Sequence, residues 1–163
     1  MTDYARAGQD WRSFAHFSRE RYTRNLVHSC AGFELMVVCW NSEQASPIHN
    51  HAGSNCWMAV LEGEIEEVHY DAPVPASEPG AAGGSSAGPL VERRRVSMEA
   101  GRVAFIRDEI ALHLVRARTE RPSVSLHLYA GPIETCQIYC PETGRIEQRQ
   151  LCFHSIDGVL VGS

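Results

Sequence analysis

Two histidines that stand one residue apart, His49 and His51, carry the sharpest chemical signal in this sequence. Side chains two residues apart on a β-strand project to the same side, so two imidazoles in this pattern can chelate one metal ion. Two exposed strand histidines give the same pattern, and the motif alone leaves both interpretations open. Imidazole is a ligand for iron, zinc, copper and nickel, so the residue type does not choose the metal.

A second group of reactive side chains, Ser125, His127 and Tyr129, alternates with leucines late in the chain. Strand alternation places this hydroxyl, imidazole and phenol on one face, where a hydrogen-bonded relay is possible. In such a relay His127 would hydrogen-bond Tyr129 and fix the direction of its phenolic hydrogen. A solvated polar strand face fits the pattern equally well. A nucleophilic serine is disfavoured, because no glycine elbow or acidic partner surrounds Ser125.

The elements that must position these groups are short strands. Segments rich in β-branched and aromatic residues recur from Arg24 onwards, separated by Gly, Pro and Asn turn signals. The predicted strands are Phe33–Trp40, Asn55–Leu61, Glu64–Tyr70, Leu90–Met98, Arg102–Ile106, His113–Ala117, Ser123–Tyr129, Thr135–Tyr139 and Ile146–Phe153. This number of short strands favours an all-β sandwich or barrel. A helical segment is predicted only within residues 1–22, where Trp11, Phe14 and Phe17 recur at helical spacing.

The composition predicts one compact domain over residues 1–163. The formal charge is −5 and basic residues do not cluster beyond Arg93 to Arg95, so nucleic-acid binding is not expected. No signal pattern occurs, nor an apolar run of the ~20 residues that span a bilayer, which predicts a cytoplasmic protein with no membrane partner. The six cysteines are then expected to be reduced thiols. Residues 72–89 hold four of the eight prolines and no aromatic residue, which predicts a flexible surface loop.

The residues that follow the histidine pair add a resemblance to a known superfamily. Cys56 follows His51 after four residues and Gly63 follows after six more, a block that resembles the first motif of the cupins. Cupins are small jelly-roll-like β-barrels whose metal ligands point inward. His113 falls where the second cupin motif is expected, so the resemblance predicts it as the third ligand, although alone it could equally be a packed core histidine. Three neutral imidazoles would leave the full charge of a divalent ion to be balanced by an anionic substrate sulfur.

Taken together, the motifs resemble the cysteine dioxygenase family, thiol dioxygenases of the cupin superfamily. The resemblance covers most of the chain, from Tyr22 to about His154. The ligands that it implies for ferrous iron, Fe(II), are His49, His51 and His113. It also implies that Arg24 pairs with the carboxylate of the substrate and that Tyr22 lies beside it. A guanidinium suits this role because it can donate two parallel charge-assisted hydrogen bonds to a carboxylate.

Members of the family also contain a thioether that joins a cysteine to the relay tyrosine. The matching residues here are Cys56 and Tyr129, and the other members of the implied catalytic group are Ser125 and His127. Taken alone, Cys56 would be interpreted as a small buried apolar residue. The family resemblance favours the cross-link instead.

The activity implied by the resemblance is the oxidation of L-cysteine by O2 to cysteine sulfinate, a step of L-cysteine catabolism, by a monomeric enzyme. One alternative keeps the iron and changes the thiol to 3-mercaptopropionate or another small thiol. Arg24 argues against cysteamine, which has no carboxylate. An alternative of another class is a non-catalytic metal-binding cupin that acts as a sensor or carrier, because one fold hosts many functions.

Overall fold

The structure is a computed structural model and describes residues 1–72 and 88–161. Most of the predicted 72–89 loop lies outside the described residues. Within them, helix α1 spans Thr2–Ala7 and a 3₁₀ turn spans Asp10–Phe14. The strands are β1 Thr23–Cys30, β2 Phe33–Trp40, β3 Ile48–His49, β4 Cys56–Glu62, β5 Glu64–Tyr70, β6 Glu92–Glu99, β7 Val103–Ile106, β8 Leu112–Ala117, β9 Ser123–Tyr129, β10 Thr135–Tyr139, β11 Ile146–Gln150, β12 Ser155–Ile156 and β13 Val159–Leu160.

The described strands form two sheets that enclose the main core. One sheet has the order β13-β12-β1-β2-β9-β4-β7 and the other the order β11-β10-β3-β8-β5-β6. Strands distant in sequence are therefore neighbours, as when β9 lies between β2 and β4. The side chains that meet between the sheets include Met36, Trp40, Met58, Ile65, Met98 and Val115. We call the space between the sheets the inner core.

Alternation along the strands decides which side chains reach the inner core. On β2, Met36, Val38 and Trp40 belong to the inner core, whereas Val37 and Cys39 pack with Ala5 and Trp11 on the outer face of the sheet. Both faces of this strand therefore carry buried apolar residues. The N-terminal segment packs against the outer face of this sheet and forms part of the second apolar layer.

The N-terminal segment is less helical than its pattern predicts. Trp11 and Phe14 lie in the 3₁₀ turn, Phe17 lies beyond it, and the α-helix is earlier, at Thr2–Ala7. Trp11 is 4% exposed and its indole N–H donates to the carbonyl of Gly8 at 3.0 Å. Burial explains the position of Trp11, whereas Phe17 is 39% exposed, so the helical spacing of these aromatic residues does not mark one buried face. Among the described residues, no helix has the length and apolar character needed to cross a bilayer.

The turn between β4 and β5 depends on one glycine. Gly63 has φ of 78°, a backbone conformation that L side chains rarely adopt. A β-carbon at this position would also lie 2.9 Å from the carbonyl oxygen of Pro122. Gly63 therefore allows the chain to pass close to the start of β9 as it leaves β4 in one sheet and enters β5 in the other.

Candidate metal centre

Three imidazoles converge at one place in the inner core. His49 ends the short strand β3, His51 lies two residues further in the following loop, and His113 lies on β8. One potential ligand atom from each ring lies within 4.8 Å of the other two. The short strand explains part of this geometry, because β3 pairs with β8 so that His49 is directly opposite His113. His51 is placed by the loop, not by the strand alternation that the sequence predicts.

The partners of the rings orient them towards one another. Nδ1 of His113 lies 2.7 Å from Oε1 of Glu67, and Nδ1 of His49 lies 2.9 Å from the carbonyl oxygen of Pro47. Because both partners are acceptors, each Nδ1 carries the hydrogen and each Nε2 presents a lone pair. The two Nε2 atoms face each other at 3.2 Å, a distance at which two lone pairs need a shared cation or proton.

His51 is held through its backbone, and its ring has no hydrogen bond. Asp108 accepts hydrogen bonds from the backbone N–H groups of His51 at 2.6 Å and Gly53 at 2.8 Å. Both ring nitrogens of His51 are buried without a hydrogen-bond partner, and Nδ1 is 3.6 Å from Oδ1 of Asp108. Burial by itself raises the pKa of Asp108. The His51 ring and these two N–H groups outweigh that effect and lower the pKa to about 2. A buried imidazole without partners is costly, and a bound cation would reduce that cost by supplying a partner for one of the two nitrogens.

The electrostatics of the cluster suit a cation. Burial holds the pKa of His49 well below its usual range and lowers that of His113 to about 4, and the neighbouring imidazoles lower both further. At neutral pH the rings of His49 and His113 are therefore uncharged and available as ligands. Neutral imidazole nitrogens directed at a single point fit a divalent transition metal.

A second set of buried polar groups lies on β9 and β2. Ser125 Oγ is 2.9 Å from Nε2 of His127 and accepts a 2.9 Å hydrogen bond from the indole N–H of Trp40. The ring of Trp40 stacks on Tyr22 with 4.7 Å between centroids. Ser125, His127 and Tyr129 are all buried, so the solvated-face interpretation of this strand does not apply.

Cys56 and Tyr129 are direct neighbours across two strands. The register of β4 against β9 places them opposite each other, and Sγ of Cys56 is 4.0 Å from Nδ1 of His127. Burial raises the pKa of Cys56 to about 12, which its hydrogen bond with Tyr129 partly opposes. Among the described residues His127 forms no hydrogen bond to Tyr129; its ring faces Ser125 and Cys56 instead. The expected relay is therefore rearranged, because Tyr129 pairs across the strands and not along its own strand.

Arg24 projects into the same core from β1. Its Nη2 lies 3.4 Å from Oε1 of Glu34, and its Nη1 is buried with no hydrogen-bond partner. The guanidinium lies over the ring of Phe153, 5.0 Å from its centroid. Burial raises the pKa of Tyr22, and the positive charge of Arg24 is the largest effect that opposes this, which places the two side chains within electrostatic reach. Arg24 thus has one nitrogen free to bind an anion.

Four residues of this site were missed by the sequence analysis: Glu34, Trp40, Glu67 and Asp108. One signal was available in the sequence, since charged residues at inward positions of apolar strands indicate a buried polar site. Glu67 is 4% exposed in the middle of β5, and its Oε2 also lies 3.2 Å from Nε2 of His69. His69 therefore also belongs to the surroundings of the cluster.

Comparison with known proteins agrees with this geometry. The family model "Cysteine dioxygenase type I" matches residues 1–141. The chain is 35% identical over 153 residues to "Cysteine dioxygenase type 1" of Rattus norvegicus, covering 92% of this chain and 71% of that protein.

Solved structures share the fold. A Klebsiella pneumoniae protein with a double-stranded β-helix domain matches with a TM-score of 0.55 at 14% identity, covering 86% of this chain and 94% of that chain. A cupin-superfamily sugar phosphate isomerase of Silicibacter pomeroyi matches with a TM-score of 0.52 at 15% identity, covering 88% and 82%. The predicted all-β, cupin-type fold is confirmed, as two packed sheets with a short N-terminal helix.

Proposed function

The chain belongs to the cysteine dioxygenase type I family, and from this membership we propose that it is an iron(II)-dependent enzyme that oxidises L-cysteine with O2 to cysteine sulfinate. Both oxygen atoms are added to the sulfur, so the thiol and O2 together account for every atom of the sulfinic acid. The observation that carries the proposal is the convergence of His49, His51 and His113 in the inner core. The sensor or carrier alternative is not favoured.

Iron is the proposed metal, held by His49, His51 and His113. The chemistry that ferrous iron supplies when bound is Lewis acidity towards a thiol and electron transfer towards dioxygen. Support from this chain comes from its neutral ligands, because three uncharged imidazoles leave a divalent charge that a substrate thiolate can balance. The acceptors at Nδ1 of His49 and His113 keep both rings in the tautomer that such binding needs.

Arg24 is the proposed binding group for the substrate carboxylate. Its unpartnered Nη1 offers charge-assisted hydrogen bonds to an anion. Tyr22 lies within electrostatic reach of Arg24, and stacking on Trp40 fixes the position of its ring. Together these contacts orient a small thiol acid, so that its sulfur and not its carboxylate is directed to the histidine cluster.

Tyr129 is proposed as a hydrogen-bond donor during the reaction. Burial and the neighbouring Cys56 raise the pKa of its phenol well above the usual value, so the hydroxyl keeps its hydrogen at neutral pH. A neutral phenol can donate to negative charge that develops on oxygen. Burial lowers the pKa of His127 to about 3, and Ser125 fixes its ring, so this imidazole serves as a neutral positioning group.

The thioether between Cys56 and Tyr129 stays a prediction. Its formation would replace the S–H bond and one aromatic C–H bond by a C–S bond, with O2 as the oxidant. The opposed positions of the two residues on β4 and β9 are compatible with such a bond. Intact-mass measurement would detect it as the loss of two hydrogen atoms.

The second candidate substrate is 3-mercaptopropionate, which also carries a carboxylate for Arg24. A monomer in the cytoplasm remains the proposal for assembly and location. The deciding experiment is to load the protein with ferrous iron without oxygen, add O2 with each thiol, and measure the sulfinates by mass spectrometry. Cysteine sulfinate as the main product is expected. Faster oxidation of 3-mercaptopropionate would reassign the substrate, and no oxidation of any thiol would overturn the enzyme proposal.

A further inference from the structure

We propose that Glu34 is a specificity-determining residue, which competes with the substrate carboxylate for the guanidinium of Arg24 and thereby sets how tightly carboxylate-bearing thiols bind. This inference rests on the proposed function, because it assigns Arg24 to the substrate carboxylate. It adds a residue that neither the sequence motifs nor the ligand cluster contains.

The position of Glu34 is unusual for a carboxylate. It is 3% exposed and lies at the beginning of β2 with the parity of Met36 and Trp40, which puts it on the inner face of the sheet. The neighbouring Leu35 packs with the apolar layer on the outer face. On the adjacent strand β9, the residue opposite Glu34 is Tyr129. The carboxylate therefore faces the same buried space as the proposed reaction site.

Glu34 occupies one side of Arg24 and leaves the other side open. Its Oε1 is 3.4 Å from Nη2, which is a single long contact and not the short two-bond pairing that arginine and carboxylate prefer. Nη1 of Arg24 is buried without a partner. A buried donor without an acceptor is a costly arrangement unless a ligand supplies one. Nη1 is thus the guanidinium nitrogen that can still donate to a second anion.

The charge of Glu34 has two opposing consequences. While the site is empty, it balances the positive charge of Arg24, which has a side chain only 10% exposed. When a substrate carboxylate binds, two negative charges share one guanidinium, and their repulsion is weakly screened away from water. Burial raises the pKa of Glu34 and Arg24 partly opposes this, as expected for a carboxylate whose ion pair does not fully compensate its burial. Glu34 therefore stabilises the site when no substrate is bound, and it lowers the affinity of the site for carboxylates.

The test compares three thiols with the ferrous protein in the absence of oxygen. Glu34→Gln removes the charge but keeps an oxygen that can accept from Nη2, so Arg24 stays in place. The dissociation constants of the Glu34→Gln variant for L-cysteine and 3-mercaptopropionate are expected to be about tenfold lower than those of the native protein. The dissociation constant for cysteamine, which has no carboxylate, should stay within about twofold. Calorimetric titration gives all three values without turnover.

Three further variants test whether the charge of Glu34 is the cause. Glu34→Asp keeps the charge and is expected to retain the weak binding of the native protein; if it binds L-cysteine as tightly as Glu34→Gln, charge is not the cause. Glu99→Gln makes the same chemical change at an exposed residue of β6 and should alter none of the three constants. If Glu34→Gln does not fold, Glu34→Asn carries the same neutral amide and must show the same selective gain.

The inference is overturned if the neutral variant binds carboxylate thiols no more tightly than the native protein, or if cysteamine gains equally. Sulfinate formation by the native protein is measured separately. Binding of cysteine without sulfinate formation would refute the proposed reaction. The role of Glu34 would still be decided by the measured dissociation constants. Sulfinate formation with unchanged binding in Glu34→Gln would refute only the role of Glu34.

Discussion

The histidine cluster (His49, His51 and His113) and the arginine pair (Arg24 and Glu34) occupy the same core but are held in different ways. In the cluster, hydrogen bonds of 2.7 and 2.9 Å fix two of the rings from behind. In the pair, the single contact is 3.4 Å and one nitrogen has no partner. Firmly oriented ligands suit an ion that stays bound, whereas an open guanidinium suits a substrate that exchanges.

The largest effect is expected from removing one of the proposed metal ligands. His113→Ala is expected to abolish stoichiometric metal binding, because only two imidazoles remain and Glu67 loses its partner. Metal content after loading, measured by elemental mass spectrometry, checks this. His28→Ala, at an exposed histidine of β1, should keep the metal. Full metal content in His113→Ala would rule out this residue as a ligand.

Removal of the guanidinium of Arg24 should affect substrate binding and not metal binding. Arg24→Ala is expected to weaken L-cysteine binding about a hundredfold, the value of a strong charge-assisted interaction, while metal content stays unchanged. Arg24→Lys should recover only part of the affinity, because an ammonium cannot pair with a carboxylate through a planar fork. Parallel calorimetry and metal analysis test this, and equal losses of both would contradict a role confined to the substrate.

A smaller effect is expected from changing Glu67, which contacts a histidine of the cluster on the side away from the other two rings. Glu67→Gln removes the negative charge that orients His113, and metal affinity is expected to fall about tenfold. The protein saturated with metal should bind L-cysteine as before. Competition with a chelator of known affinity gives the metal constant. Glu109→Gln, at an exposed carboxylate, is the matched control. A change in cysteine affinity alone would mean that Glu67 acts on the substrate.

The smallest effect on the site is expected from Trp40→Phe. The indole donor to Ser125 is lost while an aromatic ring remains to stack on Tyr22. The free energy of unfolding should fall by about 2 kcal/mol, from the lost hydrogen bond and a small cavity. Chemical denaturation measures this, with Trp57→Phe, a partly exposed residue of β4, as the control. An unchanged stability would show that the hydrogen bond contributes little.

Local patterns predict most of the strands. Alternation of apolar residues and the turn at Gly63 place β2, β5, β9 and β10 at their observed bounds, because these signals act between residues close in sequence. The N-terminal segment is the exception. Trp11 and Phe14 belong to the apolar layer against the sheet and Phe17 does not, although the spacing of the three resembles an amphipathic helix.

Contacts between distant strands are the part of the site that local patterns miss. Glu67 and His113 are 46 residues apart, and Trp40 and Ser125 are 85 apart, so neither hydrogen bond leaves a local signature. The same holds for Asp108, which fixes the backbone at His51 from 57 residues away. Sequence resemblance identifies the residues proposed to meet a metal or a substrate, and not the side chains that hold them.

By itself the sequence determined which chemistry is available: neutral imidazoles, an arginine, a phenol and a thiol carried on alternating strands. Only the tertiary structure decided how those groups pair, because the register of β4 against β9 and of β3 against β8 arises from packing of the whole core. That register turned the side chain of Tyr129 towards Cys56. Glu34 and Arg24, on the adjacent strands β1 and β2, form an ion pair because both side chains are buried in the folded core, which removes water as an alternative partner.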